Sequence, residues 1–384
     1  MNNFYSYNPT KILFGQGMIE RLRFELPQGA RVMMVYGTGS IKNNGCYEQV
    51  VSALSDVDFV EYGGITPNPQ YQDCLKAAQF ALHNRVDFLL AVGGGSVIDA
   101  TKFIAMAMCN EQETPWHFLT GATPAPSKSI PFGCVLTAPA TGSESNCGCI
   151  ISDDKTQQKL TSGAWHTYPQ FSVIEPSFAA TLPQTQIANG LIDTFIHVLE
   201  QYVTTTGNAM LQDRQSEAIL LTVKELAPLL LDKPDEQSHW NNLAWCASQA
   251  MSGALSRGVS VDWSTHEIAH HLTALYGIAH ARTLTLVLPA LWRHQMANKE
   301  GKLAQYGRRV WGIEGSDQQV AQEAIKATQA FFSQLGMPLK LSDYQLDSQE
   351  VAQQVSARFS QLNKVVGEHK TVDALAVKEI LSAC

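Results

Sequence analysis

Five residues in the C-terminal half of the chain have the types and spacing needed to bind one divalent cation. They are Asp193, His197 four residues later, His266, His270 four residues later, and His280. Residues four apart on a helix share one face, so each pair could hold the same ion. Imidazole nitrogen with carboxylate oxygen suits Zn²⁺ or Fe²⁺ better than Ca²⁺ or Mg²⁺. Histidines also occupy surfaces and cores, so the spacing alone leaves a metal site and a set of structural histidines both open.

The apolar pattern around these residues predicts the elements that would position them. Residues 183–202 and 263–276 are predicted helices, because apolar side chains recur there at helical spacing. Gly277 is expected to end the second helix, and residues 280–288 form the next element. Two helices and a turn would therefore converge on one point and could leave a coordination position open for substrate.

A second set of residues with chemical potential lies in the N-terminal half. The apolar run 86–92 is followed by glycines at 93–95, by Ser96 and by a predicted helix over 97–108. A strand, a glycine turn and a helix N-terminus form a cradle for a phosphate group. Ser96 is expected to cap the helix. The turn matches neither the dinucleotide fingerprint nor the P-loop, and a plain tight turn is the alternative interpretation.

A similar turn occurs earlier in the chain. Residues 31–36 form a predicted strand, residues 37–40 its glycine-containing turn, and Lys42 follows. Two such turns on one parallel sheet would flank a crevice at the carboxyl ends of the strands, where nucleotides bind. Gly39 offers no acid to an adenosine ribose, whereas the hydroxyls of this turn and Lys42 suit the 2′-phosphate of NADP. A solvated lysine remains the alternative for Lys42.

The organisation of the chain changes near residue 180. Before this point short apolar runs alternate with helical segments, which predicts an α/β domain over 1–180 with a parallel, Rossmann-like sheet. The predicted strands are 31–36, 58–62, 88–92, 133–136 and 171–174. After it, the pattern predicts an all-helical domain over 181–384. Its long helices are predicted at 213–231, 241–255 and 316–335.

Composition excludes several classes of protein. The net charge of -8 over 384 residues gives no basic surface for nucleic acid. No apolar stretch reaches the roughly 18 residues of a membrane span, and the N-terminus lacks the apolar core of a signal peptide. The eight cysteines lack the spacing of a disulfide framework. We therefore expect a cytoplasmic protein with reduced thiols and no membrane partner.

Together these features resemble the iron-containing (group III) alcohol dehydrogenases over nearly the whole chain. The matching residues are Asn8 to Gly15, Gly17, Pro67-Asn68-Pro69, Gly93-Gly94-Gly95-Ser96, Asp99, Lys102, Thr137 to Glu144, Leu182-Pro183, Ala188, Gly190, Asp193, His197, Glu200, Tyr202, His266, His270, His280 and Leu288-Pro289. The resemblance is strongest to the branch of bacterial NADPH-dependent aldehyde reductases and butanol dehydrogenases. It implies a dehydroquinate synthase-like fold with the active site in the cleft between the two domains.

The resemblance also implies a role for each matching residue. The implied metal ligands, to Fe²⁺ or Zn²⁺, are Asp193, His197, His266 and His280, with His270 beside the metal as a catalytic proton relay. The implied NADP(H)-binding residues are Gly37, Thr38, Gly39, Ser40, Asn68, Gly94, Gly95, Ser96, Asp99, Thr137, Thr141, Ser143, Lys159 and Leu182. Trp263, Asn146 and Ile151 are hypotheses for the substrate pocket. The implied reaction is the NADPH-dependent reduction of short- to medium-chain aldehydes to alcohols. The resemblance also implies that the protein is a homodimer.

Departures from the family pattern, and related folds, leave alternatives. Ala281, Arg282 and Thr283 stand where many relatives have glycine and then asparagine, and Glu267 stands where small apolar residues are common. These departures leave the substrate preference and the tightness of metal binding open. A metal-dependent lyase or a glycerol-phosphate dehydrogenase of the same fold would need several basic residues near the metal. Only Arg257 and Arg282 lie near the metal motif, which favours a neutral carbonyl. A non-enzymatic metal-binding protein would not need the glycine cradle.

Overall fold

A six-stranded parallel sheet organises the N-terminal part of the protein. The computed structural model describes residues 1–110, 114–205 and 209–384. The strands are β1 (Lys11–Phe14), β2 (Arg31–Gly37), β3 (Asp58–Ile65), β4 (Phe88–Gly94), β5 (Phe132–Ala138), β6 (Gly148–Asp153), β7 (Gln158–Gly163) and β8 (Phe171–Ile174). The sheet order is β1-β8-β5-β4-β2-β3, and every neighbouring pair is parallel. The predicted parallel sheet is confirmed.

Three strands lie outside the predicted set. β1 is short and forms one edge of the sheet beside β8. β6 and β7 form a separate antiparallel hairpin. The sequence of β7 is Gln-Lys-Leu-Thr-Ser-Gly, which lacks a continuous apolar run because this hairpin is only partly buried. Its pairing with β6 therefore leaves little trace in the hydrophobic pattern.

Fourteen α-helices lie in the described parts of the chain. They are α1 (Leu22–Glu25), α2 (Cys46–Ala53), α3 (Tyr71–His83), α4 (Gly95–Ala107), α5 (Trp116–Thr120), α6 (Gln184–Tyr202), α7 (Met210–Asp232), α8 (Gln237–Met251), α9 (Ser264–Tyr276), α10 (His280–His294), α11 (Met296–Tyr306), α12 (Asp317–Gln334), α13 (Ser348–Gln361) and α14 (Ala374–Ser382). The long helices predicted after residue 180 are confirmed to within four residues at each end. None of the helices in the described ranges combines the length and the apolar character needed to cross a membrane.

Strand β4 shows why the central strands are continuous apolar runs. Leu89 and Ala91 pack into a core cluster on one face of the sheet, while Phe88, Leu90 and Val92 pack into the cluster on the other face. A strand covered on both faces needs apolar side chains in both of its alternating directions. The glycine turn after this strand therefore lies at the edge of the sheet, and the buried strand holds it rigidly.

The chain divides into two compact units. One contains residues 7–183 and 233–252, which include the sheet and α8, and the other contains residues 1–6, 184–232 and 253–384. The predicted domain boundary near residue 180 lies close to residue 183, where the first segment of the sheet-containing unit ends. The regular elements of the second unit are helices. The predicted fold class, an α/β part followed by a helical part, is confirmed.

Two backbone positions shape the helices that carry the histidines. Trp263 has φ 60°, so α9 begins one residue later than predicted, at Ser264. Gly277 has φ 67° and ends α9 in the left-handed conformation, as predicted. Helix α10 extends six residues beyond the predicted end, through Pro289 to His294. Burial of its apolar face compensates for the hydrogen bond that a proline removes from a helix.

Candidate active site

Three of the five candidate residues converge in the helical unit. Asp193 on α6, His266 on α9 and His280 at the start of α10 each offer one ligand atom, and these atoms lie within 4.8 Å of one another. Asp193 Oδ1 lies 3.9 Å from His280 Nε2. Asp193 and His266 are buried, while His280 is partly exposed. One carboxylate and two imidazoles at this separation form a metal-binding set with room for further ligands.

Two of the candidate ligand atoms have no hydrogen-bond partner among the described residues. Asp193 Oδ1 and His266 Nε2 are buried, and neither has a hydrogen-bond partner within the described ranges. A buried polar atom without a partner costs about 1–3 kcal/mol, so such atoms are rare unless something binds to them. These two atoms are the lone-pair donors that a cation would need. The residues present therefore fit a divalent metal.

His197 lies beside this group rather than within it. Its Nε2 is 3.7 Å from Asp193 Oδ1, and its ring stacks on the ring of His266 with centroids 4.8 Å apart. Burial lowers the pKa of His197 to about 4, against the attraction of Asp193. The ring is therefore neutral at pH 7 and keeps a lone pair for coordination. Its role as a fourth ligand stays a prediction.

Glu200 orients His266, a role that the sequence did not reveal. Its Oε2 accepts a hydrogen bond from His266 Nδ1, and the same carboxylate accepts from the backbone N–H groups of Thr265 at 2.7 Å and His266 at 3.2 Å. A proton held on Nδ1 leaves the Nε2 lone pair free for a metal. Asp193, His197 and Glu200 follow the spacing i, i+4, i+7, which places them on one face of α6. That spacing was the available signal.

His270 and Trp263 surround the same group. The ring centroid of His270 lies 5.2 Å from that of His280 and 6.3 Å from that of His266. Trp263 packs edge-on against His266 with centroids 5.2 Å apart. His270 is thus adjacent to the candidate ligands, where a proton relay would need to be, although that role remains a prediction. The left-handed Trp263 puts an apolar ring beside the site.

The glycine turn after β4 has the predicted strand, turn and helix arrangement. Gly94 precedes α4, Gly95 is its first residue, and no side chain of the described residues caps this helix. The prediction that Ser96 caps α4 is wrong, because the helix starts one residue before Ser96. A Cβ on Gly95 would clash with the side chain of Thr141, so only glycine fits here. The first N–H groups of α4 are therefore available to an anion.

The turn after β2 lies at the same edge of the sheet. β2 pairs with β4 and ends at Gly37. A Cβ atom added to Gly37 would lie 3.4 Å from Ile65 O and 3.6 Å from Val97 Cγ2. Gly39 has φ 116° and opens a 3₁₀ turn over Ser40–Lys42. The two turns therefore lie next to each other at the carboxyl ends of neighbouring strands, and the crevice between them stays a prediction. The same edge carries the phosphate-binding turns of nucleotide-binding sheets.

Lys42 is held over two aromatic rings. Its Nζ lies 5.2 Å from the ring centroid of Tyr36 and 4.8 Å from that of Tyr47. The Tyr47 hydroxyl in turn donates to Glu61 at 2.8 Å. Cation–π contacts hold an ammonium without neutralising its charge. Lys42 is thus held beside the turn over residues 37–40.

Asp99 and Ser143, two predicted cofactor residues, bond to the protein itself. Ser143 Oγ donates to Asp99 Oδ1 at 2.5 Å, and Ile150 N donates to Asp99 Oδ2 at 3.0 Å. Lys102, fully buried, donates to Ser143 O and Oγ and to Gly148 O and Asn146 Oδ1. This network ties α4 to the segment over 143–150, which leads into β6. It fixes the shape of the cradle, and a contact from Asp99 to a cofactor remains a prediction.

The remaining predicted residues lie at several places in the sheet unit. Lys159 on β7 donates to Asn68 Oδ1 at 3.0 Å, and Asn68 has φ 54°. Thr137 lies near the end of β5, and Leu182 lies just before α6. Of the substrate-pocket hypotheses, Ile151 is fully buried in the core. The Asn146 amide also bonds within the loop, to Gly142 O and Gly148 N.

The carboxyl of Glu144, next to Ser143, allows a prediction on stability. It is 1% exposed, its Oε1 has no hydrogen-bond partner among the described residues, and burial raises its pKa to about 7. The folded state therefore holds a proton that the unfolded state releases between about pH 4.5 and 7. Stability from this group is present below pH 4.5 and is lost as the pH rises through 7.

We expect Glu144→Gln to stabilise the protein at pH 8 and to have little effect at pH 4.5. The shift in pKa from 4.5 to about 7 corresponds to at most about 3 kcal/mol. Urea unfolding of both proteins at the two pH values measures the difference. The same difference in unfolding free energy at both pH values would show that the buried carboxyl is not the cause.

Comparison with known proteins identifies the family of this chain. The family model for iron-containing alcohol dehydrogenase matches residues 9–176, and the model for the C-terminal part of the Fe-containing alcohol dehydrogenase family matches residues 187–384. Together they span most of the sequence, including both glycine turns and every candidate ligand. The chain therefore belongs to the iron-containing alcohol dehydrogenase family, and the predicted family is confirmed.

Two members of this family with high sequence identity and one solved structure show which proteins this chain is similar to. The chain is 48% identical over 353 residues to the NADPH-dependent aldehyde reductase YqhD of Escherichia coli strain K12, with 91% of each chain covered. It is 36% identical to the probable NADH-dependent butanol dehydrogenase 1 of Bacillus subtilis strain 168, with 100% of each covered. The crystal structure of E. coli YqhD superposes with a TM-score of 0.97 at 44% identity, covering 100% of this chain and 98% of that one.

Proposed function

We propose that this protein is a metal-dependent, NADP(H)-linked aldehyde reductase that interconverts short- to medium-chain aldehydes and alcohols. One observation carries the proposal: buried, unpartnered ligand atoms of Asp193 and His266 converge with His280 in a chain of this family. The name of the E. coli relative, an NADPH-dependent aldehyde reductase, supports the reaction. The apolar ring of Trp263 beside His266 suits an apolar substrate.

The residues of the helical unit have distinct tasks in this reaction. A divalent cation, Fe²⁺ or Zn²⁺, would polarise a carbonyl oxygen as a Lewis acid, and a reduced nicotinamide would supply hydride. Asp193 offers the anionic oxygen, His266 and His280 offer imidazole lone pairs, and His197 is proposed as the fourth ligand. Glu200 keeps the His266 proton on Nδ1. His270 is proposed to pass the proton that the product hydroxyl needs.

The sheet unit is proposed to bind NADP(H). The uncapped N-terminus of α4 presents N–H groups suited to a pyrophosphate, and the turn over 37–40 suits the adenosine end. Gly39 carries no acid that would repel a 2′-phosphate, and Lys42 lies beside the turn, over the rings of Tyr36 and Tyr47. Relatives are named for NADPH and for NADH alike, so the choice between them rests on these residues.

We also propose a homodimer and a cytoplasmic location. β1 forms an open edge of the sheet, and Tyr7 and Trp165 form an exposed aromatic contact with centroids 5.3 Å apart in the same unit. Exposed aromatic clusters and free sheet edges are typical of surfaces that bind another chain. All eight cysteines are free thiols, which supports a reducing compartment. Light scattering at several protein concentrations measures the subunit number.

The reaction is tested directly by incubating anaerobically purified protein with NADPH and butanal. We expect the absorbance of reduced nicotinamide to fall, and the rate to depend on butanal concentration. An anionic aldehyde offered in parallel should be a poorer substrate, because Arg257 and Arg282, the two arginines near the metal motif in the sequence, are too few to form a basic pocket. Absence of turnover with every aldehyde, metal and cofactor combination would refute the proposed reaction.

A further inference from the structure

A second buried group of charges lies near the start of α9 and contains none of the candidate metal ligands. Lys299 on α11 is 2% exposed. Its Nζ lies 2.9 Å from Asp262 Oδ2 and 2.7 Å from Glu368 Oε1, and it donates to Val203 O at 2.8 Å. An ammonium group has three N–H donors, so this lysine uses all of them. We refer to Lys299, Asp262 and Glu368 as the Lys299 cluster.

Each acceptor of Lys299 belongs to a different segment of the helical unit. Val203 directly follows α6, the helix that carries Asp193. Asp262 lies two residues before α9, the helix that carries His266. Glu368 lies between α13 and α14. One ammonium group therefore joins the end of one ligand-bearing helix to the start of the other.

Asp262 also holds the first turn of α9. Its Oδ1 accepts hydrogen bonds from Ser264 N at 3.2 Å and from Ser264 Oγ, and its own N–H donates to Glu200 O at 3.0 Å. The Glu200 carboxylate accepts from the next two backbone N–H groups. The start of α9 is thus bound by two carboxylates, one from α6 and one fixed by Lys299.

The segment over 364–372 closes over the same turn. Lys364 pairs with Glu267. Gly367 has φ 91°, and a Cβ atom added to it would lie only 3.0 Å from Ser264 Oγ. Glycine permits both this conformation and this close approach. Burial opposes the charge of Lys299, but Asp262 and Glu368 together raise its pKa. The ammonium therefore stays charged, and a change of partner would leave a buried carboxylate unpaired.

We propose that Lys299 is a positioning residue for the metal centre, because it fixes the separation between the helices that present Asp193 and His266. The proposal rests on the metal site described under Proposed function. A residue that only stabilised the fold would change the unfolding temperature without changing the affinity of the folded protein for metal. A positioning residue changes that affinity, since ligand atoms misplaced by a few tenths of an ångström coordinate less well.

Lys299→Met tests this proposal, with Lys302→Met as the matched control. Lys302 lies one turn further along α11, is 4% exposed, pairs with Asp213 on α7 at 2.6 Å and packs over the ring of Tyr202. Both substitutions remove a buried ammonium from the same helix. Of these two lysines, and among the contacts of the described residues, Lys299 bonds to the segment that begins α9 whereas Lys302 bonds to α7.

Anaerobic titration of metal-free protein with Co²⁺, followed by its visible absorption, measures the affinity and the ligand geometry. We expect the Kd for Co²⁺ to rise about 10–100-fold in Lys299→Met, with an altered band, and to change less than about twofold in Lys302→Met. Equal Kd values for Lys299→Met and the unchanged protein would overturn the proposal. So would equal losses in both variants.

Glu368→Gln covers the case in which Lys299→Met does not fold. It removes one of the two negative charges and keeps a hydrogen-bond acceptor, so the pair of Lys299 and Asp262 remains neutral. We expect it to fold and to bind Co²⁺ about threefold or more weakly. An unchanged Kd in this folded variant would overturn the role of the cluster. Failure of the unchanged protein to bind Co²⁺ would instead refute the metal site itself.

Discussion

We expect His266→Ala, and separately Asp193→Ala, to lower NADPH-linked aldehyde reduction by about a thousandfold or more. Lewis-acid stabilisation by a bound metal supplies several kcal/mol to such a reaction, and each substitution removes one of three converging ligand atoms. Bound metal should fall in parallel. Steady-state kinetics and elemental analysis of anaerobically purified variants measure both effects.

His294→Ala is the control for these substitutions. His294 lies at the end of α10 and pairs with Glu379 at the surface, away from the candidate ligands. It should retain activity and metal content close to those of the unchanged protein. Full activity in a metal-free Asp193→Ala variant would contradict the ligand set. Normal metal content with lost activity would instead assign Asp193 or His266 a role in catalysis alone.

We expect Gly39→Asp to reverse part of the preference for NADPH, lowering the ratio of kcat/KM for NADPH to that for NADH by about 10–100-fold. A carboxylate at this turn would repel a 2′-phosphate and could accept a hydrogen bond from an unphosphorylated ribose. The ratio is the informative quantity, because Gly39 has φ 116° and any side chain there strains the backbone.

Gly39→Asn separates charge from strain in this experiment. Asparagine has nearly the same shape as aspartate and meets the same backbone conformation, but it carries no charge. We expect it to weaken both cofactors by similar factors and to leave their ratio nearly unchanged. An identical ratio in the Asp and Asn variants would remove the argument that the adenosine turn selects NADP.

Features that depend on neighbouring residues along the chain could be predicted from the sequence. The run over 86–92 identified β4, because a strand buried on both faces must be apolar throughout. The spacing of Asp193 and the histidines placed them on helix faces before any fold was known. The glycine turns were placed correctly because each follows such a strand.

Features that depend on contacts between distant segments could not be predicted. The role of Glu200 depends on α9 packing beside α6, because Glu200 and His266 are 66 positions apart along the chain. Lys102 and Lys299 are buried, although lysine is normally exposed. Only the assembled structure shows the acceptors that make their burial possible. The metal-site prediction thus identified ligand candidates but not the residues that orient them.

Metal reconstitution tests the central claim most directly. Protein stripped of metal under anaerobic conditions is titrated with Fe²⁺ and, separately, with Zn²⁺, while NADPH-dependent reduction of butanal is measured at each step. We predict negligible activity at the start and a rise in proportion to bound metal, ending at one ion per chain with at least one of the two metals. Full activity of the metal-free protein, unchanged by either addition, would contradict the proposed function.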